Sequence, residues 1–244
     1  MGVYKKMIFS IETSTSNLSL TLLMDNKVIN QVSIKIKNEL SEIIIPTIKR
    51  FLKINSITFR NISYLVIGCG PGSFTGTRAL ISAAKGIYLS NKQMKILGIN
   101  SLAGLAMSAL NEAKTKNFQY IIASIDTKRD DQFLQLFKLN NSDEKLSPFF
   151  AINNIQAIKL ENLNDFLKKN KLGVDDFLFV GFVPTLLKNK LLNINFSEQL
   201  TQIPDAFWVG KLTSYIFNNN VNYEKSKIAY NELKPIYVRS ASIN

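Results

Sequence analysis

The sequence feature that most constrains the fold is a glycine-rich segment, Gly68-Cys69-Gly70-Pro71-Gly72-Ser73-Phe74-Thr75-Gly76-Thr77-Arg78. The apolar run 64–67 precedes it, and the mostly small and apolar run 79–86 follows it. This order predicts a buried strand, a tight turn and then a helix. Its four glycines allow positive φ angles and a close approach of the backbone to a neighbour. That neighbour is a phosphate group, a facing helix or the chain itself.

The glycine spacing does not fit either of the common phosphate-binding loops. A P-loop requires G-x-x-x-x-G-K-[ST], but Gly76 lies at the wrong distance from Gly72 and no Lys-Ser/Thr pair follows it. A dinucleotide loop requires G-x-G-x-x-G, and the glycines here are spaced one residue too far apart. We therefore interpret the segment as a structural turn that presents the next helix. The alternative is an anion contact at the helix N-terminus, made by Gly70, Gly72, Ser73, Thr75 and Gly76.

Two helices are predicted on either side of this turn. Apolar residues recur every three or four positions over 39–54, which predicts an amphipathic helix; Pro46 either kinks this helix or places its start nearby. The glycine segment itself leads into a helix over 76–90. Four small residues recur on that second helix at near-helical spacing and would let another helix approach closely: Ala79, Ser82, Ala83 and Gly86.

The same strand pattern occurs twice in the chain. An apolar strand ends at Glu12-Thr13 and another ends at Asp126-Thr127; the distance from Glu12 to Gly68 is 56 positions and that from Asp126 to Gly181 is 55. This repetition predicts an α/β fold of two ribonuclease-H-like domains of the actin and sugar-kinase type, each a mixed sheet flanked by helices. The polar stretch 111–119 marks the boundary, which predicts an N-terminal domain of residues 1–112 and a C-terminal domain of residues 113–244.

Residue composition excludes several classes of chemistry. The sequence has no histidine and one cysteine, Cys69, so it offers no Cys/His zinc site, no Ser-His-Asp triad and no protease machinery. The formal net charge of +12 permits contact with nucleic acid, although the Lys and Arg residues form no compact block or aromatic-interleaved motif. A stand-alone RNA-binding module is therefore a further alternative. No apolar run approaches the length of about 18 residues that a membrane helix needs, so we expect a cytoplasmic protein.

Glu12 and Asp126 are the candidate residues for an enzyme. In an ATP-dependent phosphotransferase or ATPase of the duplicated type, these acids would face each other across an interdomain cleft and hold Mg²⁺. Such enzymes cradle ATP with glycine-containing turns, but the turns 13–16 and 127–130 contain no glycine. We therefore keep the enzyme as the alternative, and predict no catalytic residue, no metal site and no cofactor.

Four motifs together resemble the bacterial TsaB (YeaZ-like) family. The glycine segment from Gly70 to Arg78, with Ala84-Lys85-Gly86 after it, is the most specific of them. The other three are Ile11-Glu12-Thr13-Ser14-Thr15, Ile125-Asp126-Thr127-Lys128-Arg129-Asp130 and Lys234-Pro235-Ile236-Tyr237-Val238-Arg239. They span nearly the whole chain in the family's order. The resemblance implies a two-domain member of the actin-like superfamily without a working ATP site.

The resemblance also implies a function. TsaB proteins are non-catalytic partners of TsaD, which transfers threonylcarbamoyl to N6 of the adenosine just 3′ of the anticodon in tRNAs that read codons beginning with A. TsaE, an ATPase, joins that pair, and TsaC makes the threonylcarbamoyl adenylate. This chain would bind TsaD through helices 39–54 and 76–90, pair with itself through the same helices when alone, and contact tRNA only through the complex. The interface residues would then be Ile44, Ile48, Arg78, Ala79, Ser82, Ala83 and Gly86.

Two departures from the family pattern bear on sites. Family members often have histidine at the entrance of the first helix, where this chain has Asn38 or a near neighbour. They also have a G-D-G-like turn where this chain reads Val180-Gly181-Phe182-Val183-Pro184. The second departure argues against a ligand role for the turn in the second domain.

Overall fold

The structure is a computed structural model. It describes residues 6–36, 39–140, 147–184, 191, 193–198, 202–218, 229–230 and 233–238. Within these residues the strands, in chain order, are β1 (Met7–Glu12), β2 (Asn17–Met24), β3 (Lys27–Lys35), β4 (Tyr64–Gly68), β5 (Lys95–Ile99), β6 (Tyr120–Asp126), β7 (Gln132–Leu139), β8 (Phe149–Ala151), β9 (Gln156–Ile158), β10 (Phe177–Gly181) and β11 (Ala229–Tyr230). The α-helices are α1 (Leu40–Ile54), α2 (Phe74–Ser90), α3 (Ser101–Thr115), α4 (Leu163–Lys169) and α5 (Ala206–Asn218).

The strands form two mixed sheets built on the same plan. The first sheet has the order β11-β5-β4-β1-β2-β3, and the second has the order β10-β6-β7-β8 with β9 also paired to β7. In the first sheet β1 pairs antiparallel with β2 and parallel with β4. In the second sheet β6 pairs antiparallel with β7 and parallel with β10. This repeated arrangement confirms the predicted α/β class with two mixed sheets flanked by helices.

Both faces of each sheet are buried along the central strands, whereas the edge strand β3 is mostly exposed. Phe9 and Ile8 of β1 point to opposite faces, and they belong to two different apolar clusters. Helices α1 and α2 cover the outer face of the first sheet. Helices α3 and α5 fill the space between the two sheets, and α4 covers the outer face of the second. The order of layers is therefore helices, sheet, helices, sheet, helix.

The helix boundaries follow their capping residues. Helix α2 begins at Phe74, two residues before the predicted start, because the Ser73 hydroxyl accepts a hydrogen bond from Gly76 N at 3.1 Å. Helix α1 runs from Leu40 to Ile54, and Pro46 lies inside it. The predicted domain boundary at 112/113 falls within α3, near its C-terminal end, and remains a prediction.

The end of the chain packs on the glycine turn. The described residues of 234–239 form no strand, and β11 takes the edge of the first sheet, where it pairs antiparallel with β5. Residues 233–238 run back to the glycine turn, where Ile236 N donates to Cys69 O at 2.9 Å. None of the helices in the described ranges is long and apolar enough to cross a membrane.

Candidate functional site

A cavity of about 810 Å³ opens where β1 and β6 end, between the two sheets. Its walls come from five parts of the chain, together with Phe133 and Phe182. They are the turn after β1 (14–16), the glycine turn with the start of α2 (Gly72, Ser73, Phe74, Thr77 and Arg78), the turn after β6 (125–129), and the segments 202–204 and 235–238. We call this cavity the cleft.

Glu12 lies beneath the cleft wall and does not line it. Its side chain is 1 % exposed, and its Oε1 accepts hydrogen bonds from Thr13 N at 2.8 Å and Ser14 N at 2.6 Å. The Ser101 hydroxyl donates to Oε2 at 2.7 Å. Gly68 is needed beside it, because a Cβ there would overlap the carboxylate. Glu12 therefore joins the end of β1 to the start of α3.

Burial determines the ionisation of Glu12. Loss of solvent raises the pKa of the Glu12 carboxyl above its ordinary value, and the hydrogen bonds from Ser101, Ser14 and Thr13 oppose that rise only in part. The prediction that Glu12 faces Asp126 across the cleft is wrong, because the cleft contains only Asp126 of the two. The physical reason is that the end of β1 turns its carboxylate inward, onto its own backbone amides.

Asp126 is engaged within its own turn. Its Oδ1 accepts from Lys128 N at 2.8 Å, and its Oδ2 forms a salt bridge with Lys128 Nζ at 2.9 Å. Thr127 Oγ1 donates to Asp131 O at 2.9 Å, which closes the same turn. In the parts of the chain that the structure describes, no three acidic or cysteine side chains gather in a way that would hold a metal ion.

The neighbour that the glycine turn approaches is the chain itself. A Cβ on Gly72 would overlap the carbonyl of Ser14, and a Cβ on Gly76 would lie 2.6 Å from Thr13 O. Ser73 N donates to Ser14 O at 2.6 Å. The glycines thus let the turn pack against the two residues that follow β1.

Of the residues predicted for an anion contact, only two reach the cleft. Gly72 and Ser73 line it. Gly70 and Gly76 are buried in packing, and Thr75 is exposed but lies outside the cleft wall. The predicted contact is therefore corrected for Gly70 and Gly76, because their N–H groups already donate to the hydroxyls of Ser101 and Ser73. For Thr75 it stays a prediction.

Arg78 belongs to the cleft rim. Its Nε donates to the Tyr237 hydroxyl at 2.7 Å, and its guanidinium carbon lies 3.8 Å from the centre of the Phe74 ring. The rings of Phe74 and Tyr237 are 5.6 Å apart. Spacing and composition did not predict that Tyr237 lies at this site, because it is 159 positions from Arg78 in the sequence. The motif 234–239 was the one sequence feature that could have indicated it.

The structure also corrects part of the predicted partner interface. Ile44 and Ile48 of α1 are 2 % and 0 % exposed and lie in the core beneath that helix. They cannot contact a partner without opening the core, because the apolar stripe of an amphipathic helix packs against its own sheet.

The remaining predicted interface residues lie along α2. Ser82 and Gly86 are exposed, and a Cβ on Gly86 would meet no atom within 4 Å. Ala79 and Ala83 are half-buried beside them. Two large apolar side chains at the ends of the helices are exposed as well: Ile54 of α1 at 67 % and Leu89 of α2 at 69 %. We call the exposed surface of α1 and α2 the outer helical face.

Two other sequence features can be placed. The turn after β10 contains Gly181, where a Cβ would overlap the Ser124 carbonyl, so this glycine also serves packing within the chain. Phe182 beside it lines the cleft and is 45 % exposed. Asn38 lies outside the described residues.

Comparisons with known proteins give two related descriptions, a family model described as TsaD and curated proteins named TsaB. A family model described as "TsaD: tRNA N6-adenosine threonylcarbamoyltransferase" matches residues 27–231. "tRNA threonylcarbamoyladenosine biosynthesis protein TsaB" of Buchnera aphidicola subsp. Schizaphis graminum is 32% identical over 69% of this chain and 78% of that protein. The protein of the same name from Haemophilus influenzae is 22% identical over 96% of this chain and 93% of that protein.

Among solved structures, the fold is similar to that of "YeaZ from Pseudomonas aeruginosa". The two superpose with a TM-score of 0.67 over 95% of this chain and 99% of that one, at 17% sequence identity. A likeness at this identity concerns the fold alone.

Proposed function

Since this chain belongs to the TsaB family, we propose that it takes part in forming N6-threonylcarbamoyladenosine in tRNA, as a non-catalytic subunit that binds TsaD. The observation that carries this proposal is the family membership, which extends over most of the chain. TsaE would join the pair, and tRNA would be contacted through the complex.

The chemistry of the cleft supports a non-catalytic role. Glu12 is buried beneath the wall and Asp126 is paired with Lys128, so neither carboxylate is free to act as a general base on a ligand in the cleft. The thiol of Cys69 is buried, and burial together with the nearby Glu12 carboxylate raises its pKa to about 12. A thiol with that pKa is a poor nucleophile at neutral pH.

The outer helical face supports the binding role. Ala79, Ser82, Ala83 and Gly86 form a stripe of small residues along α2, which permits a partner helix to approach closely on that side. Ile54 and Leu89 add exposed apolar area at the ends of both helices, a feature that marks interaction surfaces when such residues cluster. The same face would serve a homodimer when TsaD is absent.

A binding experiment tests the assignment of this face. We expect the purified chain and its cognate TsaD to form a complex whose mass is the sum of both subunits. Ser82→Arg should weaken that complex at least about tenfold, because a long charged side chain would separate the helices and lose its hydration. Asn111→Arg, which changes an exposed residue of α3 in the same way, is the matched control and should bind normally. Equal affinity of both variants would reject this face.

A further inference from the structure

We propose that the outer helical face binds an acidic protein surface and disfavours pairing with a second copy of this chain. The inference rests on the proposed function for where TsaD binds. It adds the charge that the partner's surface carries and the reason why the mixed pair is preferred over a homodimer. Four of the side chains involved, Lys49, Arg50, Lys53 and Lys85, were not among the predicted interface residues.

The two helices carry an excess of positive charge on their exposed side. Five cations are exposed there, whereas the acids Glu39 and Glu42 lie together at the start of α1. The cations are Lys49, Arg50, Lys53, Arg78 and Lys85. None of the salt bridges among the residues that the structure describes involves either helix, so no salt bridge within the chain neutralises these charges.

The cations lie on the same side of the helices as the small and apolar residues of the face. On α1, Lys49 and Lys53 are four positions apart and lie opposite the stripe of buried residues. On α2, Lys85 lies three positions after Ser82 and four before Leu89, so these three residues share one side of the helix. A partner that packs on the small residues of α2 therefore meets the cations as well.

A second copy of the chain would bring like charges together. A symmetric pair uses the same patch on both subunits, so the positive excess of one copy meets the same excess on the other. At best, Glu39 and Glu42 of each copy would meet two cations of the other, and three cations of each copy would stay unmatched. Like charges placed against each other across an interface cost free energy, whereas an acidic surface would match them.

The face suits a protein better than a nucleic acid. Ile54 and Leu89 are 67 % and 69 % exposed, and such apolar side chains are buried by a protein partner. Nucleic acids bind through phosphates and through bases that stack on aromatic rings. Phe74 is the one exposed aromatic residue of the two helices, and the Arg78 guanidinium carbon lies 3.8 Å from the centre of its ring. The positive charge is therefore assigned to the selection of a protein partner.

The salt dependence of two pairings tests the inference on the full chain. The affinity for cognate TsaD, measured by isothermal titration calorimetry, should fall at least about tenfold between about 50 mM and about 500 mM NaCl, because salt screens the attraction between the two faces. Self-association of this chain, measured by analytical ultracentrifugation, should strengthen over the same range, because salt screens the repulsion. The two pairings should thus respond to salt in opposite directions.

Charge reversal shows which lysines carry the effect. Lys49→Glu/Lys53→Glu should weaken TsaD binding about tenfold or more and should make the remaining affinity less sensitive to salt. Lys168→Glu/Lys169→Glu is the matched control, because it reverses two exposed lysines near the end of α4 and changes the net charge equally. The control should bind TsaD as the unchanged chain does.

A mixture of two forms of this chain tests the charge preference without TsaD. Lys49→Glu/Lys53→Glu leaves more acids than cations on the outer helical face, so this variant should pair with the unchanged chain at least about fivefold more tightly than the unchanged chain pairs with itself. No preference for the mixed pair would overturn the inference.

The other outcomes separate the inference from the proposed function. TsaD binding that is insensitive to salt, or equal binding by the two double variants, would overturn the inference and leave the proposed function standing. Binding of tRNA to this face in competition with TsaD would overturn the choice of a protein. Absence of any complex with TsaD would refute the proposed function, and the mixed pair would still decide the charge preference of the face.

Discussion

Replacing Gly68 with alanine should be among the most damaging small changes in the chain. The new Cβ would occupy the position of the Glu12 carboxylate, so Glu12 has to move. That movement breaks the hydrogen bonds from Thr13 N, Ser14 N and the Ser101 hydroxyl, all of which are buried. Each of the three donors left unsatisfied costs about 1–3 kcal/mol, whereas alanine restricts the unfolded chain and so recovers about 0.4–1 kcal/mol. We therefore expect the free energy of unfolding to fall by at least about 2 kcal/mol.

Urea unfolding followed by circular dichroism measures this loss, with Gly86→Ala as the matched control. At Gly86 the Cβ meets nothing within 4 Å, and the residue lies inside an exposed helix. That variant should be more stable by about 0.5–1 kcal/mol, because alanine is the better helix former. Combining Gly68→Ala with Glu12→Ala should cost less than the two single changes added together, because the second change removes the overlap. A loss below about 1 kcal/mol for Gly68→Ala, or simple additivity, would refute this account of the glycine.

Two further predictions concern the buried groups next to this turn. Because burial raises the pKa of Glu12 in the folded chain, its contribution to stability is present below the unfolded value of 4.5 and is lost as the pH rises through the folded pKa. Glu12→Gln should therefore gain stability relative to the unchanged chain as the pH rises above the unfolded value of 4.5, and a difference in urea unfolding that does not change with pH would contradict this. Cys69, with its raised pKa and buried position, should react with iodoacetamide far more slowly in the folded chain than in urea, and equal labelling rates by mass spectrometry would show that the thiol is accessible.

Most of the fold was predictable because short stretches of sequence carry the hydrophobic patterns of its strands and helices. The apolar run from Met7 to Glu12 and the run from Tyr120 to Asp126 each precede a second strand that closes a hairpin, and strands of this kind are visible in hydrophobic alternation. The glycine segment predicted the strand, turn and start of a helix in the correct order. The end of the chain was not predictable in the same way, because residues 233–238 are placed by contacts with the glycine turn and have no periodicity of their own.

The candidate site was less predictable, because long-range contacts determine it. Ile44 and Ile48 show the limit of periodicity: it identifies the buried face of a helix, which here is the face against the first sheet. The partner of the glycine turn, residues 13–14, lies more than fifty positions earlier in the chain. The pairing of Arg78 with Tyr237 spans 159 positions and has no signal in spacing or composition.

The most direct test of the proposed function is reconstitution of threonylcarbamoyladenosine formation on tRNA from purified components. We predict that TsaD with TsaE and the threonylcarbamoyl adenylate forms little product until this chain is added, and that this chain without TsaD forms none. Asp126→Asn should support product formation as well as the unchanged chain does, since this acid is paired within its own turn and performs no chemistry. Product formation by this chain without TsaD, or equal product formation by TsaD in its absence, would contradict the account.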